Sequence, residues 1–265
     1  MVKKVLYVFL SHDIDWPIQG PGREHVLARK DRFATDVIAR VISQGYNPYY
    51  MVPELMDIEA GLGVKSTFFF RPKYDDGTAV DCYGPIMREL WRKGWEVGWH
   101  INDASAHETL RREKQAVERA LRRPVYGSRA HYHRISPSDL PLLERLGLKY
   151  DASIINRRDA IDVSNMGSYR VGDLLEIPVT LAEVFMFAPQ YMNLPEGKIV
   201  DAVARTVDVA RGVGLMSIMW HDCSLKMVKG RKFREVLEFL VAQPNLKVVR
   251  GIDVHRLFFG RNGAP

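Results

Sequence analysis

A chain of 265 residues with a formal charge of +6 and near-average apolar and charged content can bury a sizeable core, which excludes a disordered chain. There is no long lysine or arginine run to suggest a nucleic-acid partner, and the short clusters RRPVYGSR and KGRKFR read as solvated surface. Two cysteines, Cys82 and Cys223, stand far apart without a CxxC, which excludes a zinc ribbon and fits a reduced compartment.

The first apolar run, VLYVFLS (5–11), reads as a buried strand. Lys3 and Lys4 before it imitate a signal peptide, but the run is short, lacks a small-residue cleavage site and leads straight into His12-Asp13-Ile14-Asp15. No other segment is long enough to span a bilayer, so the expectation is a soluble, cytoplasmic protein with no membrane partner. Phe33, Val37, Ile38, Val41 and Ile42 recur at helical spacing. A second strand, VKSTFFF (64–70), exits into Arg71-Pro72-Lys73-Tyr74-Asp75-Asp76-Gly77. Ile86, Met87, Leu90 and Trp91 mark a helix ended by Gly94, and WEVGW (95–99) exits into His100-Ile101-Asn102-Asp103. Leu110, Val117 and Leu121 mark the next helix; Ser105 with Glu108 forms a capping-box pattern that predicts its start near Ala106.

The strand PVYGSR (124–129) exits into Arg129-Ala130-His131-Tyr132-His133-Arg134. A helix over 137–146 and a strand LKYDASI (148–154) follow. The long polar loop 157–173 is either a cover for a site or an idle surface excursion. Then come the strand LLEIPV (174–179), a helix over 197–211, the strand LMSIMW (215–220) exiting into His221-Asp222, a helix over 231–242 and a last strand LKVVR (246–250). This alternation predicts a parallel sheet with helices outside, in one domain over 1–265. The strand count suggests a (β/α) barrel of seven or eight strands, with a doubly wound open sheet as the alternative. Five strands end in titratable side chains, and in a barrel those carboxyl ends share the face that carries the active site.

Asp13 and Asp15 lie on one side of a strand end, where two carboxylates repel unless a cation sits between them. The plain alternative is a turn with two solvated carboxylates. Asp15, His100 and a further His or Asp would suit zinc or a similar divalent ion. Taken singly, His100 is equally a hydrogen-bonded core histidine, and His221-Asp222 a strand-end pair without chemistry. Their joint placement on one face argues for a site. The period of two turns Trp99 and Trp220 toward the helix layer as core residues, whereas Trp16, beyond the strand end, is a candidate cleft wall that binds substrate.

The order of these motifs resembles the polysaccharide deacetylases of the NodB-homology type, carbohydrate esterase family four. Their strand-end Asp pair, usually TFDDG, corresponds to SHDIDW here. Their E-[IV]-G-x-H strand corresponds to Glu96-Val97-Gly98-Trp99-His100, their R-x-P-Y to Arg129-Ala130-His131-Tyr132, and their last His-terminated apolar strand to SIMWHD with His221. YDASI and LEIPV are also similar to sequences in that family. The resemblance implies a distorted (β/α) barrel and a metal-dependent amide hydrolase. Two departures stand out: Ala104 replaces the usual second histidine ligand, and His131 replaces the usual proline. Alternation lets Arg129 and His131 face one cavity, so His131 is the leading third ligand beside Asp15 and His100, with Asp103 and His107 competing.

The resemblance further implies Asp15 as a metal ligand and Asp13 as general base, with Arg129 keeping Asp13 ionised. A backbone N–H near Tyr132 and the metal, zinc by its donor set, would hold the oxyanion. His221 would protonate the leaving amine, and since adjacent Asp222 should point away, Asp151 is the leading candidate for its carboxylate partner. The expected substrate is an N-acetylated sugar or a related small amide. Two rivals are another C–N hydrolase acting on a cyclic amide or ureide, and a catalytically inactive, metal-free carbohydrate-binding protein. A glycosidase is disfavoured because no strand-end pair of glutamates is evident, and a serine hydrolase because there is no GxSxG. The oligomeric state is not legible in these residues.

Overall fold

The computed structural model describes residues 4–259, so Lys3 lies outside the described residues. Ten strands form one sheet: β1 (Leu6–Ile14), β2 (Thr67–Phe70), β3 (Glu96–Ile101), β4 (Gly127–Ala130), β5 (Tyr150–Asp151), β6 (Tyr169–Val171), β7 (Leu174–Glu176), β8 (Leu181–Ala182), β9 (Leu215–Met219) and β10 (Leu246–Val249). The order runs β6-β7-β5-β4-β3-β2-β1-β9-β8, and every pair is parallel except β6 with β7. On one edge of β1 the upper residues Ser11–Ile14 pair with β2, while the lower residues Leu6–Phe9 pair with β10.

The sheet curls until its ends meet. β7 pairs with β5 and β8 pairs with β9, with only residues 177–180 between them. Along that seam side chains replace the missing ladder. Ser217 Oγ donates to the Pro178 carbonyl (2.6 Å) and accepts from Thr180 N (2.9 Å), and Thr180 Oγ1 accepts from Ser217 N (2.9 Å). The result is a distorted barrel rather than an open doubly wound sheet, with more strands than the seven or eight expected, because β6 and β8 are too short to show a pattern in sequence.

Strand alternation sorts the side chains into two layers. Leu6, Val8, Leu10 and Ile14 of β1 pack outward with Phe68, Phe70, Trp99, Ile218 and Trp220 in the large core under the helices. Phe9 points inward and joins Phe69, Tyr150, Leu175, Ile177 and Leu215, and Val254 of the helix Gly251–Phe258 adds to this inner core from the amino end. The inner aromatic rings fit only because their cross-strand neighbours are glycines. Gly98 pairs with Phe69, and a Cβ there would lie 2.5 Å from the ring; one on Gly127 would lie 2.0 Å from Tyr150. Above this plug the inward positions turn polar: Ser11, Asp13, His100 and Arg129 are all buried.

The expected helices form over Thr35–Gln44, Gly84–Arg92, His107–Leu121, Leu140–Arg145, Ile199–Val213 and Phe233–Ala242. His107–Leu121 starts where expected, with Ala106 as N-cap, but Ser105 provides no cap. The Ser105 amide is held by Asp103 Oδ1, and Glu108 is engaged by Arg111 and Arg112 instead. Four further helices were not expected from the sequence: Val52–Gly61, Arg23–Leu27, Glu183–Phe187 and Gly251–Phe258. In the first, buried Glu59 accepts from His12 (2.6 Å), Ser66 and Trp95, pinning the helix to the outer face of β1. The polar loop 157–173 is not a simple excursion: it returns as β6, antiparallel on β7, and Gly167 N donates to the Leu215 carbonyl at the amino end of β9. Among the described residues no helix is long and apolar enough to cross a membrane.

Candidate active site

Four strand ends bring their polar residues to one place. β1 carries Asp13 inward within its last turn of pleat and delivers Asp15 just past its end. β3 contributes His100, β4 contributes Arg129 and, through the turn that follows it, His131, and β9 delivers His221 two residues past its end. Asp15 Oδ1 lies 3.1 Å from His100 Nε2 and 3.3 Å from His131 Nδ1, and those two ring nitrogens are 3.2 Å apart. On its other oxygen, Asp15 Oδ2 is 3.3 Å from His221 Nε2.

Asp13 is set slightly deeper. Its Oδ1 accepts from Arg129 Nη1 at 2.9 Å and its Oδ2 is 3.8 Å from His100 Nε2. The Arg129 guanidinium is fully buried, lies 4.8 Å from the centre of the Phe69 ring, and also donates to Ser11 Oγ (2.8 Å) and the Ala152 carbonyl (2.7 Å). The aromatic plug therefore serves as the platform on which the cation rests. Burial would raise the Asp13 pKa, but Arg129 first, then His100 and His221, holds it below the usual carboxylate value. Asp15 is lowered further still: burial is outweighed by His221 and by hydrogen bonds from His100 and His131.

Asp15, His100 and His131 offer three ligand atoms that lie within 4.8 Å of one another. The His100 Nδ1 donates to the Arg129 carbonyl (2.9 Å), which has no proton to give, so in the neutral ring Nε2 would offer its lone pair to an ion in place of the hydrogen bond to Asp15. One carboxylate and two imidazoles form a borderline donor set that suits zinc or a similar divalent ion, and the residues present fit such an ion. Asp103 and His107 are exposed on the surface and stand outside this set. Strand β4 ends at Ala130, and His131 enters the cluster through a tight turn with Tyr132 in the left-handed region (φ 54°) rather than by continued strand alternation. The Tyr132 ring is exposed and packs at a tilt of 42° against His131, with ring centres 4.0 Å apart.

The partner of His221 corrects one expectation. Glu183, which begins the helix Glu183–Phe187 directly after β8, accepts from His221 Nδ1 (2.7 Å), His221 N (3.2 Å) and Ser224 Oγ (2.7 Å). Burial would keep His221 neutral, but Glu183 and then Asp15 raise its pKa well above that of free histidine. Asp151 lies on the opposite face of the sheet. It is in register with Ser128 and Glu176, accepts from Ser128 Oγ at 2.6 Å, and is pushed up in pKa by burial. The signal missed in sequence was TLAEV, a sixth strand ending in a titratable residue. Asp222 points away from the cluster as expected, accepting from Met51 N and Cys223 N.

Two further residues support the site without an evident motif. Arg71, buried at the end of β2, donates to Asn102 Oδ1 (2.7 Å), the Asp15 carbonyl (3.3 Å) and Asp75 Oδ1 (2.6 Å), tying three strand ends together. Trp16 packs edge-on against His25 and Tyr49 and, with Asp15, Pro17, Gly20, Asp75 and Asp76, lines a cavity of about 330 Å³ beside the cluster. His133, two residues beyond His131, is held neutral by burial and by Arg129, its pKa pushed down to about 3. Trp99 and Trp220 are fully buried in the outer core.

No family model matches the chain, and no curated protein matches it. Solved structures do. A protein from Mycobacterium smegmatis named as a polysaccharide deacetylase superposes with a TM-score of 0.70 at 19% identity, covering 99% of this chain and 93% of that one. A second of the same name, from Pseudomonas aeruginosa, gives 0.66 at 12% identity, covering 99% and 94%. A CE4 family pseudoenzyme from Bacillus anthracis gives 0.55 at 11% identity, covering 96% of this chain and 66% of that one. The chain thus has the curled, helix-surrounded barrel of the polysaccharide deacetylases.

Proposed function

We propose that this chain, acting as one domain, is a divergent carbohydrate esterase family four hydrolase that removes an N-acyl group, acetyl above all, from an N-acetylated sugar or a related small amide. The observation that supports this reading most directly is the pairing of two carboxylates with different tasks. Asp15 joins His100 and His131 in a convergent donor set, while Asp13 is held apart by Arg129 on the other side of His100. A divalent ion held by Asp15, His100 and His131, zinc by the donor chemistry, would polarise the acyl carbonyl and acidify a water.

The remaining steps belong to the chain's own groups. Asp13, ionised beside Arg129, accepts a proton from the attacking water. The backbone N–H of Tyr132 would donate to the carbonyl oxygen as charge develops on it. His221, cationic between Glu183 and Asp15, gives a proton to the departing amine and is then oriented by Glu183 through Nδ1. Trp16 forms the wall against which a sugar ring rests. The pseudoenzyme among the structural neighbours keeps an inactive binding protein as the second reading, with Ala104 in its favour.

Protein purified without chelator and loaded with zinc should release acetate from tetra-N-acetylchitotetraose, and Asp13→Asn should abolish release without loss of bound zinc. Stoichiometric zinc binding with no acetate, amine or ring-opened product from any N-acyl sugar, cyclic amide or ureide would refute the hydrolase reading and leave the binding protein.

A further inference from the structure

The proposed chemistry uses one end of the barrel and leaves the other idle. Parallel strands all start at the same end, and the helices that run back between them finish there. Cations gather at this amino end from separate elements. Arg92 closes the helix Gly84–Arg92, Arg122 and Arg123 lead from His107–Leu121 into β4, Lys65 and Lys149 precede β2 and β5, and Lys247 belongs to β10. Lys65 is half-buried and the others are exposed. Contacts join these positions around the helix Gly251–Phe258, which plugs this end. Arg250 Nη1 donates to the Gly94 carbonyl (2.9 Å), the Lys65 ammonium lies 3.1 Å from the centre of the adjacent Trp95 ring, and Lys149 N donates to the Tyr126 carbonyl (2.8 Å).

Helix dipoles account for part of this, because a cation suits a helix C-terminus. They do not account for Lys65, Lys149 or Lys247, which end no helix. Among the described residues none of these cations has a carboxylate partner, whereas the neighbouring acids are engaged elsewhere: Glu89 with Lys93, Glu118 with Lys114, and Asp253 with Arg250 and Arg256. The end therefore carries a positive surplus complementary to an extended anionic partner.

Shape and aromatic content select that partner. The cations ring a broad end instead of tracking a groove, which suits a plane better than a nucleic-acid strand. Trp91 and Tyr126 stand 47% and 44% exposed beside Arg122 and Arg123. The Arg123 guanidinium lies 4.5 Å from the centre of the Trp91 ring, so that face is closed to a stacking base. Exposed Trp and Tyr flanked by arginines have the composition of a membrane-interface anchor. Between Lys65 and Arg250, walled by Gly63, Gly94 and Asp253, a cavity of about 340 Å³ has room for a phosphodiester headgroup.

We propose that the amino end of the barrel docks on an anionic phospholipid bilayer, with Trp91 and Tyr126 at headgroup level and the candidate active site facing away from the membrane. Such peripheral docking needs no spanning helix, so it replaces the expectation, drawn from hydropathy, of no membrane partner. It does not depend on the hydrolase reading.

Sedimentation of the full chain with sucrose-loaded vesicles tests this. Vesicles of phosphatidylcholine mixed with phosphatidylglycerol should bind at least about tenfold better than phosphatidylcholine alone, and added salt should weaken the binding. Each cation near an anionic surface is worth about fivefold in partition, so Arg122→Gln/Arg123→Gln/Lys149→Gln should lower binding about 100-fold. Arg23→Gln/Arg134→Gln/Arg158→Gln removes the same charge from exposed positions after β1, β4 and β5, at the other end, and should change binding by less than about threefold. Trp91 is the exposed tryptophan among the described residues, so brominated lipid should quench the wild type, and Trp91→Phe should remove that quenching. No preference for anionic vesicles, equal losses from the two triple variants, or undiminished quenching in Trp91→Phe overturns the proposal. Salt-sensitive binding to single-stranded poly(dT) without vesicle binding overturns it in favour of a nucleic-acid partner.

Discussion

Replacing Arg129 with Met tests whether the Asp13–Arg129 pair is held together as the geometry requires. The substitution removes the 2.9 Å bond to Asp13, the 2.8 Å bond to Ser11 Oγ and the 2.7 Å bond to the Ala152 carbonyl. Asp13 is then a buried carboxylate whose nearest cationic candidate is His100, at 3.8 Å. Breaking one side of a buried pair costs about 3–5 kcal/mol because the remaining charge is stranded. Asp13→Asn alone strands the guanidinium on the Phe69 face and should cost about 3 kcal/mol by the same reasoning. The double variant strands neither charge. It loses the Ser11 and Ala152 bonds and the stacking on Phe69, about 1–4 kcal/mol together. The coupling between the two sites should therefore be about 2 kcal/mol or more in favour of the pair. Equilibrium urea unfolding in the presence of EDTA measures this without interference from metal binding. Single variants that each cost under about 1 kcal/mol, or a double variant that is additive within about 0.5 kcal/mol, would refute the pairing argument.

Three other outcomes follow from separate parts of the molecule. His131→Ala should weaken zinc binding by about 10-fold or more in a calorimetric titration, whereas Asp103→Ala and His107→Ala leave it unchanged; equal effects of all three would move the third ligand out of β4's turn. Gly98→Ala places a Cβ 2.5 Å from the Phe69 ring and should destabilise by about 1–3 kcal/mol, with Phe69→Leu relieving part of that in the double variant, read from urea midpoints. Glu113, which accepts from Asn102 N, has its pKa pushed up to about 7, chiefly by burial. The folded state then binds the proton more tightly than the unfolded state does, so the group's contribution is complete below the ordinary glutamate pKa and is lost as pH rises through about 7. Glu113→Gln should accordingly match the wild type near pH 5 and exceed it by about 1–3 kcal/mol near pH 8, where a pH-independent difference would contradict the assignment.

The residues themselves determined the alternation of strands and helices, the face of the sheet that holds the chemistry, and the inward direction of Asp13, Asp15, His100 and Arg129. All of these follow from apolar runs broken by titratable residues and from a side-chain period of two. That same period, applied to LKYDASI, already turns Asp151 from the site once Tyr150 is known to face inward, but which parity faces inward depends on Phe9, Phe69 and Tyr150 meeting across the barrel. Only the tertiary structure decided the rest. Glu183 reaches His221 because a two-residue strand, β8, is drawn against β9 by the closure of the barrel, and two residues carry no periodic signal. His131 opens a turn whose next two residues, Tyr132 and His133, are left-handed, a conformation no local propensity favours and that the bond from His133 Nδ1 to the Ser153 carbonyl holds in place. The loop 157–173 is turned into an edge strand by pairing with β7, a contact its polar composition does not announce. Local patterns report which way a side chain points along its own element; contacts between elements distant in sequence depend on how the sheet twists and closes, and that is where the partners of the site were chosen.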